Sequence, residues 1–243
     1  MSDVETFITE HYKSLNDLQD DFRNKNLNNL IASKVRGDSI LDIGCGTGHL
    51  MNTLLKQWKT VVGIEPITEL VALAKKQNPH LNIIEYRAED ITKIDKKFST
   101  ITAVDVLEHI ENDRETIKNL TNKLQEGGYL ILAVPAYQFL YSIRDTSMGH
   151  YRRYSKNDLI NKVVNNNLKI KEIRYWNMLG MFPYLIVQRL FKQPLVVSLR
   201  TNKNKNLIEK ILVNLLHFWF QCIENNINFG FGLTLICVAQ KEK

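Results

Sequence analysis

The stretch richest in chemistry runs Ile40-Leu41-Asp42-Ile43-Gly44-Cys45-Gly46-Thr47-Gly48-His49-Leu50. An apolar run leads into glycines at three alternate positions and then into residues with helical periodicity. Glycine tolerates positive φ and lets a ligand lie directly on the backbone. Asp42 stands just before the turn, where its carboxylate would repel a pyrophosphate, the group that G-x-G-x-x-G spacing cradles. That spacing also fails, because His49 occupies the third position after Gly46. The same carboxylate suits a ligand carrying an ammonium and a sulfonium. Glu65 ends the next apolar run, about twenty residues on, where an acid can accept hydrogen bonds from both hydroxyls of a ribose. Pro66 then turns the chain away.

Two more acids stand at the ends of short apolar runs: Asp90, within Ala88-Glu89-Asp90-Ile91, and Asp105, within Asp105-Val106-Leu107-Glu108-His109-Ile110. Taken singly, each reads as a strand-end or cap residue. A second constellation is Asp145-Thr146-Ser147-Met148-Gly149-His150-Tyr151-Arg152-Arg153-Tyr154-Ser155. A histidine there can take a proton from a hydroxyl near neutral pH. Arg152 and Arg153 can clamp a phosphate or carboxylate bidentately, with Tyr151 and Tyr154 walling the acceptor. The alternative is an ordered loop in which His150 and the arginines brace Asp145.

These residues need a scaffold, and apolar runs alternating with helical periodicity supply one. Strands are predicted at Ser39–Ile43, Thr60–Glu65, Leu81–Glu85, Thr100–Val106 and Tyr129–Val134. Helices are predicted at His49–Gln57 and Leu70–Lys76, with another capped by Asp113 and ended by Gly127-Gly128. Two amphipathic helices are expected to precede them, the second around Leu15–Val35 with Leu18, Phe22, Leu27, Leu30 and Ile31 on its apolar side. Pro135–Tyr154 reads as a loop, Lys156–Val164 as a helix, and Leu168–Trp176 and Gly232–Ala239 as strands. Such alternation implies right-handed βαβ crossovers, a parallel sheet, and a ligand beyond the strands' C-terminal ends at the switch point.

With these motifs in this order, the sequence resembles class I S-adenosylmethionine-dependent methyltransferases, in the subset carrying a Gly-His-Tyr-Arg-Arg-Tyr string. The resemblance covers residues 36–140 well and the flanks loosely. It implies an α/β, doubly wound, Rossmann-like seven-stranded sheet, mostly parallel with an antiparallel last strand, plus a helical insertion before that strand. It also implies S-adenosyl-L-methionine as cofactor, held by Asp42, Gly44, Cys45, Gly46, Gly48, Glu65, Pro66, Asp90, Ile91 and Asp105. His150 becomes the expected catalytic base, and Tyr151, Arg152, Arg153 and Tyr154 the acceptor-binding residues. Asp105, Glu108 and His109 resemble the acid-x-x-Glu-His cluster with which ubiquinone-type O-methyltransferases hold a divalent cation. The same string starts a helix in metal-free relatives, and no metal is assigned to it.

One domain over residues 1–243 is expected: a helical cap (1–36), the cofactor-binding core (37–135), the substrate loop, helix and sixth strand (136–176), a helical insertion or lid (177–230) and the last strand (231–240). The insertion combines the apolar run Met178–Val187 with a helix over Leu207–Ile223. In that helix Ile208, Ile211, Leu212, Leu215, Leu216, Trp219, Cys222 and Ile223 form a stripe, read as packing on the core. The other readings are a lid over an apolar acceptor, a homodimer face and a contact with an anionic membrane surface. Residues 150–210 hold thirteen lysines and arginines against three acids, within a chain of net charge +6. That balance fits either a solvated surface or an anionic partner.

The acidic, polar N-terminus lacks a signal-peptide pattern, and three scattered cysteines fit neither a disulfide framework nor a zinc site. The expected location is cytoplasmic, with peripheral contact at the inner membrane face. The expected reaction is O-methylation of a hydroxyl on a small-molecule or lipid-linked acceptor. An RNA-modifying methyltransferase is the first alternative. However, Asp105-Val106-Leu107-Glu108 lacks the Asn/Asp-Pro-Pro-aromatic motif of base-amine methyltransferases, and no separate RNA-binding module is visible. A non-catalytic scaffold is the second alternative, and the glycines and acids argue against it, because packing does not require them together.

Overall fold

The computed structural model describes Thr6, Thr9 and residues 21–186 and 207–242. The expectations for residues 10–20 and for Arg189, Lys192, Arg200, Lys203 and Lys205 fall outside them. Strands β1 (Ser39–Ile43), β2 (Thr60–Ile64), β3 (Asn82–Ile84), β4 (Phe98–Val104), β5 (Leu124–Pro135), β6 (Leu168–Trp176) and β7 (Thr234–Lys241) form one sheet in the order β3-β2-β1-β4-β5-β7-β6. All neighbours pair in parallel except at β7, which runs antiparallel to both β5 and β6.

β1 reads as a continuous apolar run because both faces of the sheet are covered. Leu41 and Ile43 pack with Ile117 and Leu120 of α4 (Asp113–Asn122) and Leu159 and Val163 of α6 (Lys156–Val164). Ile40 joins the opposite layer. There it meets Leu30 and Ile31 of α1 (Phe22–Lys34), Met51 and Leu54 of α2 (His49–Leu54), and Val71 and Ala74 of α3 (Thr68–Gln77). The chain winds one way from β1 to β3 and the other way from β4 onward. The switch point therefore lies between β1 and β4, at their C-terminal ends.

Several local expectations need correction. α4 stops at Asn122, and Gly127-Gly128 lie inside β5, where the β4–β5 register shifts. A Cβ on Gly128 would sit 2.9 Å from the Gln125 carbonyl oxygen, so the pair serves a bulge and not a helix end. Asn112 caps α4, its side chain accepting from the Glu115 N–H, and Asp113 is freed for another network. The presumed loop after β5 contains α5 (Ile143–Ser147), begun by a reciprocal cap between Ser142 and Asp145.

The insertion holds α7 (Met178–Pro183), α8 (Leu207–Trp219) and a π-turn, Phe220–Glu224. The expected core stripe is rotated. Val213, Leu216, Trp219 and Phe220 meet the core, while Ile208 and Leu215 are 77% and 60% exposed, in line with Ile211, Leu212 and Phe218. Glu224, nearly fully buried, fastens the insertion by accepting from the Met178 N–H and the Trp219 indole. Glu224→Ala leaves both donors unsatisfied and is expected to lower unfolding stability by about 2–4 kcal/mol, read by denaturant melts. A melt unchanged within error would show that the insertion is held elsewhere.

Candidate active site

The turn after β1 is shaped by left-handed glycines. Gly44 has φ +63°, and a Cβ there would lie 2.5 Å from Val106. No larger residue fits, and the turn is pressed against the segment leaving β4. Asp42, on β1, is buried and accepts a 2.7 Å hydrogen bond from the Thr102 hydroxyl. Burial drives its carboxyl up to about 7, against the Thr102 bond and with added repulsion from Glu65. Glu65, also buried, accepts from the Gly46 N–H at 2.9 Å and the Ile67 N–H at 3.0 Å. Burial raises its pKa despite those two bonds.

Among the described residues neither acid has a cationic side-chain partner. Two buried carboxylates thus converge on a glycine-lined turn, an arrangement that fits a cationic ligand with a ribose. Asp105 adopts φ 54° at the end of β4. Asp90, half-buried in the 3-10 turn Ala88–Lys93, pairs with Lys93 at 2.8 Å. Pro66 is exposed beside Glu65. Cys45 and Ile91 turn inward instead. Cys45 packs in the core with its thiol driven upward by burial, and Ile91 is fully buried. Only their backbones remain to meet a ligand.

The second half of the site comes from the segment after β5. The Tyr151 N–H donates to the Glu108 carbonyl at 2.7 Å, docking that loop on the turn after β4, beside Val106 and the glycines. His150 lies edge-on to His109, centroids 4.6 Å apart. Its Nδ1 stands 3.0 Å from Asp145, which Arg153 also grips through two nitrogens, at 2.9 and 3.0 Å. Burial would raise the Asp145 carboxyl, but the His150 bond and the Arg153 charge outweigh it and hold the pKa at about 2. The network assigns the His150 proton to Nδ1, leaving a lone pair on Nε2.

Asp145 therefore fixes the His150 ring, where the sequence placed it only as something to brace. The capping pair Ser142/Asp145, followed five residues later by a histidine, was the available signal. Of the expected acceptor residues, Tyr151 is 54% exposed and reaches solvent. Arg153 is buried on Asp145, and the fully buried Tyr154 donates to Asp113 at 2.7 Å. Arg152 pairs with Asp113 at 3.0 Å, beside Lys162. The Arg-Arg-Tyr string thus braces the wall, because two buried aspartates need cations. Glu108, His109 and His150 each offer a donor atom within 4.8 Å of the others, so His150 stands in the set where sequence placed Asp105. One carboxylate and two imidazoles suit a divalent transition metal, and Glu108 Oε2 is buried without a hydrogen-bond partner.

A family model described as a methyltransferase domain matches residues 14–183, most of the chain. The chain belongs to this methyltransferase family. The methyltransferase domain is 33% identical over 117 residues to a ubiquinone biosynthesis O-methyltransferase from Coxiella burnetii, covering 45% of this chain and 50% of the relative. The chain thus spans about half the length of the curated relatives it matches. Among solved structures it resembles an S-adenosylmethionine-dependent methyltransferase from Thermotoga maritima, with TM-score 0.61 at 15% identity, covering 99% and 98% of the two chains. It also resembles an N-methyltransferase from Bradyrhizobium japonicum bound to S-adenosyl-L-homocysteine, with TM-score 0.57 at 15% identity, covering 95% and 91%. At such identity these two likenesses show the methyltransferase fold.

Proposed function

We propose that this methyltransferase moves a methyl group from S-adenosylmethionine to a hydroxyl of a small-molecule or lipid-linked acceptor. The observation that carries the reading is the meeting of two halves at the switch point: the glycine turn with buried Asp42 and Glu65, and the Asp145–His150 pair docked beside it. Similarity to a relative named as an O-methyltransferase supports the choice of oxygen.

S-adenosylmethionine, when bound, supplies a methyl already activated on a sulfonium. The chain's task is then to align a nucleophile, exclude water and accept a proton. Asp42 and Glu65 balance the donor's charge and hold its ribose, Asp90 and Asp105 border it, and the glycine turn lets it approach the backbone. His150 Nε2 takes the hydroxyl proton, and Asp145 fixes the ring and stabilises the imidazolium. Tyr151 and Arg152 border the acceptor.

No helix among the described residues is long and apolar enough to cross a membrane. The outward face of α8, preceded in sequence by Arg189, Lys192, Arg200, Lys203 and Lys205, supports peripheral contact with an anionic membrane from the cytoplasm. Pelleting with anionic but not neutral vesicles tests this. A stable homodimer that ignores vesicles would assign the face to a second copy.

The reaction itself is tested by incubating the purified chain with methyl-labelled donor and a cell lysate, then separating the fractions. Label in the organic or small-molecule fraction is the expected result, and label in RNA would overturn the acceptor class. The cluster of Glu108, His109 and His150 favours a second reading, in which His150 coordinates a cation instead of accepting the proton. Dialysis against EDTA separates the two. Activity that survives assigns His150 as base, and activity lost and restored by Mn²⁺ assigns it as a ligand.

A further inference from the structure

The segment that bears His150, residues 140–153, is held at both ends by one side chain from outside it. Tyr184 follows α7 in the insertion, and among residues 178–186 it alone is buried, with Phe182 and Ile186 exposed on either side. Its hydroxyl donates to the Leu140 carbonyl at 2.8 Å and accepts from an Arg153 terminal nitrogen at 2.6 Å. The Ser142 hydroxyl stands 3.3 Å from the same oxygen. The Arg153 guanidinium lies over the Tyr184 ring, 4.9 Å from its centroid. α7 is thus a largely exposed turn, fastened at its start by Glu224 on the Met178 N–H and plugged into the body at its end by one phenol.

Both ends of this latch bear on His150. The Arg153 nitrogen that meets Tyr184 also donates to Asp145 Oδ2 at 3.0 Å. Arg153 Nε donates to Asp145 Oδ1, the oxygen that faces His150 Nδ1. A guanidinium is planar, so a hydroxyl on one nitrogen and a ring against its face set the direction of its other donors. Asp145 follows that plane, and the His150 ring follows Asp145. At the other end, the Leu140 bond sets the entry to α5, where Ser142 donates to the same carboxylate through its N–H and its hydroxyl. We infer that Tyr184 is a positioning residue for methyl transfer: the insertion latches the active-site segment through this phenol, and His150 is aimed only while the latch is seated. The inference rests on the reading of His150 as base, and it makes the insertion part of the catalytic apparatus and not merely its cover.

Tyr184→Phe tests this, because it keeps the ring beneath Arg153 and removes only the hydroxyl. Phe182→Ala, on the exposed side of α7, is the control. In the full chain labelled with ¹⁵N-histidine and saturated with S-adenosylhomocysteine, NMR reads the Nδ1 proton of His150, assigned by its loss in His150→Gln. In Tyr184→Phe that proton is expected to exchange with water about tenfold faster or more. Transfer of labelled methyl to the lysate should slow by about ten- to a hundredfold, while S-adenosylhomocysteine affinity stays within about twofold. Phe182→Ala should move none of the three by more than about twofold. A Tyr184→Phe chain that melts lower but keeps both the proton and the rate has lost stability alone, and the inference fails while the methyl-transfer reading stands. It fails equally if Phe182→Ala loses as much. Should Tyr184→Phe not bind S-adenosylhomocysteine, hydrogen exchange on the unaltered chain decides: the α7 amides and the His150 ring proton should open together, and a ring proton that outlasts α7 overturns the inference. If the unaltered chain labels nothing, both readings fail.

Discussion

His150→Gln lowers kcat by about 10²–10⁴-fold and leaves the Kd for S-adenosylmethionine within about twofold. Glutamine can still donate from its amide to Asp145, so the buried Asp145–Arg153 pair keeps its partners. What disappears is the basic Nε2 lone pair. Asp42 and Glu65, the proposed donor contacts, lie on β1 and just beyond β2, outside the loop being altered. Single-turnover methyl transfer alongside calorimetric donor binding checks both halves of this expectation. An unchanged kcat would remove His150 from proton transfer. Asp145 is the poorer target, because removing its carboxylate strands a buried Arg153 and destabilises the loop by about 3–5 kcal/mol.

Asp42→Asn is expected to stabilise the free protein while crippling donor binding. The Asp42 carboxyl titrates at about 7 in the fold against an ordinary 3.8, so between those values the folded chain holds more protons than the unfolded one. Its contribution is neutral below the ordinary value and becomes unfavourable as pH rises towards 7, by on the order of 4 kcal/mol. Asparagine removes that charge and still accepts the Thr102 hydrogen bond. Melts at pH 8 should therefore show the variant more stable by about 2–4 kcal/mol, with little difference near pH 4. Donor affinity behaves in the opposite way. In the unaltered protein it strengthens as pH climbs through about 7 and the carboxylate ionises to face the cationic donor. In the variant it is weaker by about 100-fold at pH 8, with a flatter pH profile. Equal affinity across pH in both proteins would mean that Asp42 does not meet the donor's charge.

Both predictions concern residues whose importance was legible at very different distances in sequence. Asp42 announces itself through the glycines that follow it within six positions, because a strand-to-helix turn is a local structure. The strands with continuous burial were legible for the same reason, as were α6 and β6, whose bounds match expectation. Gly127-Gly128 misled because glycine marks a helix end and a bulge alike, and only pairing with β4 tells which. The α8 stripe misled because the helix docks through Val213, Leu216 and Phe220, at the margin of the apolar stripe and beside the polar Glu209 and His217, so periodicity alone does not choose the buried side.

The sequence by itself determined the sheet, the glycine turn and the family, since each rests on short-range steric and hydrophobic pattern. Tertiary structure alone decided which charges are already paired. Arg153 and Arg152 looked available, but they lie within bonding distance of Asp145 and Asp113, as much as 39 residues away in the chain. Charge neutralisation depends on distance in space and on local burial, and sequence spacing encodes neither.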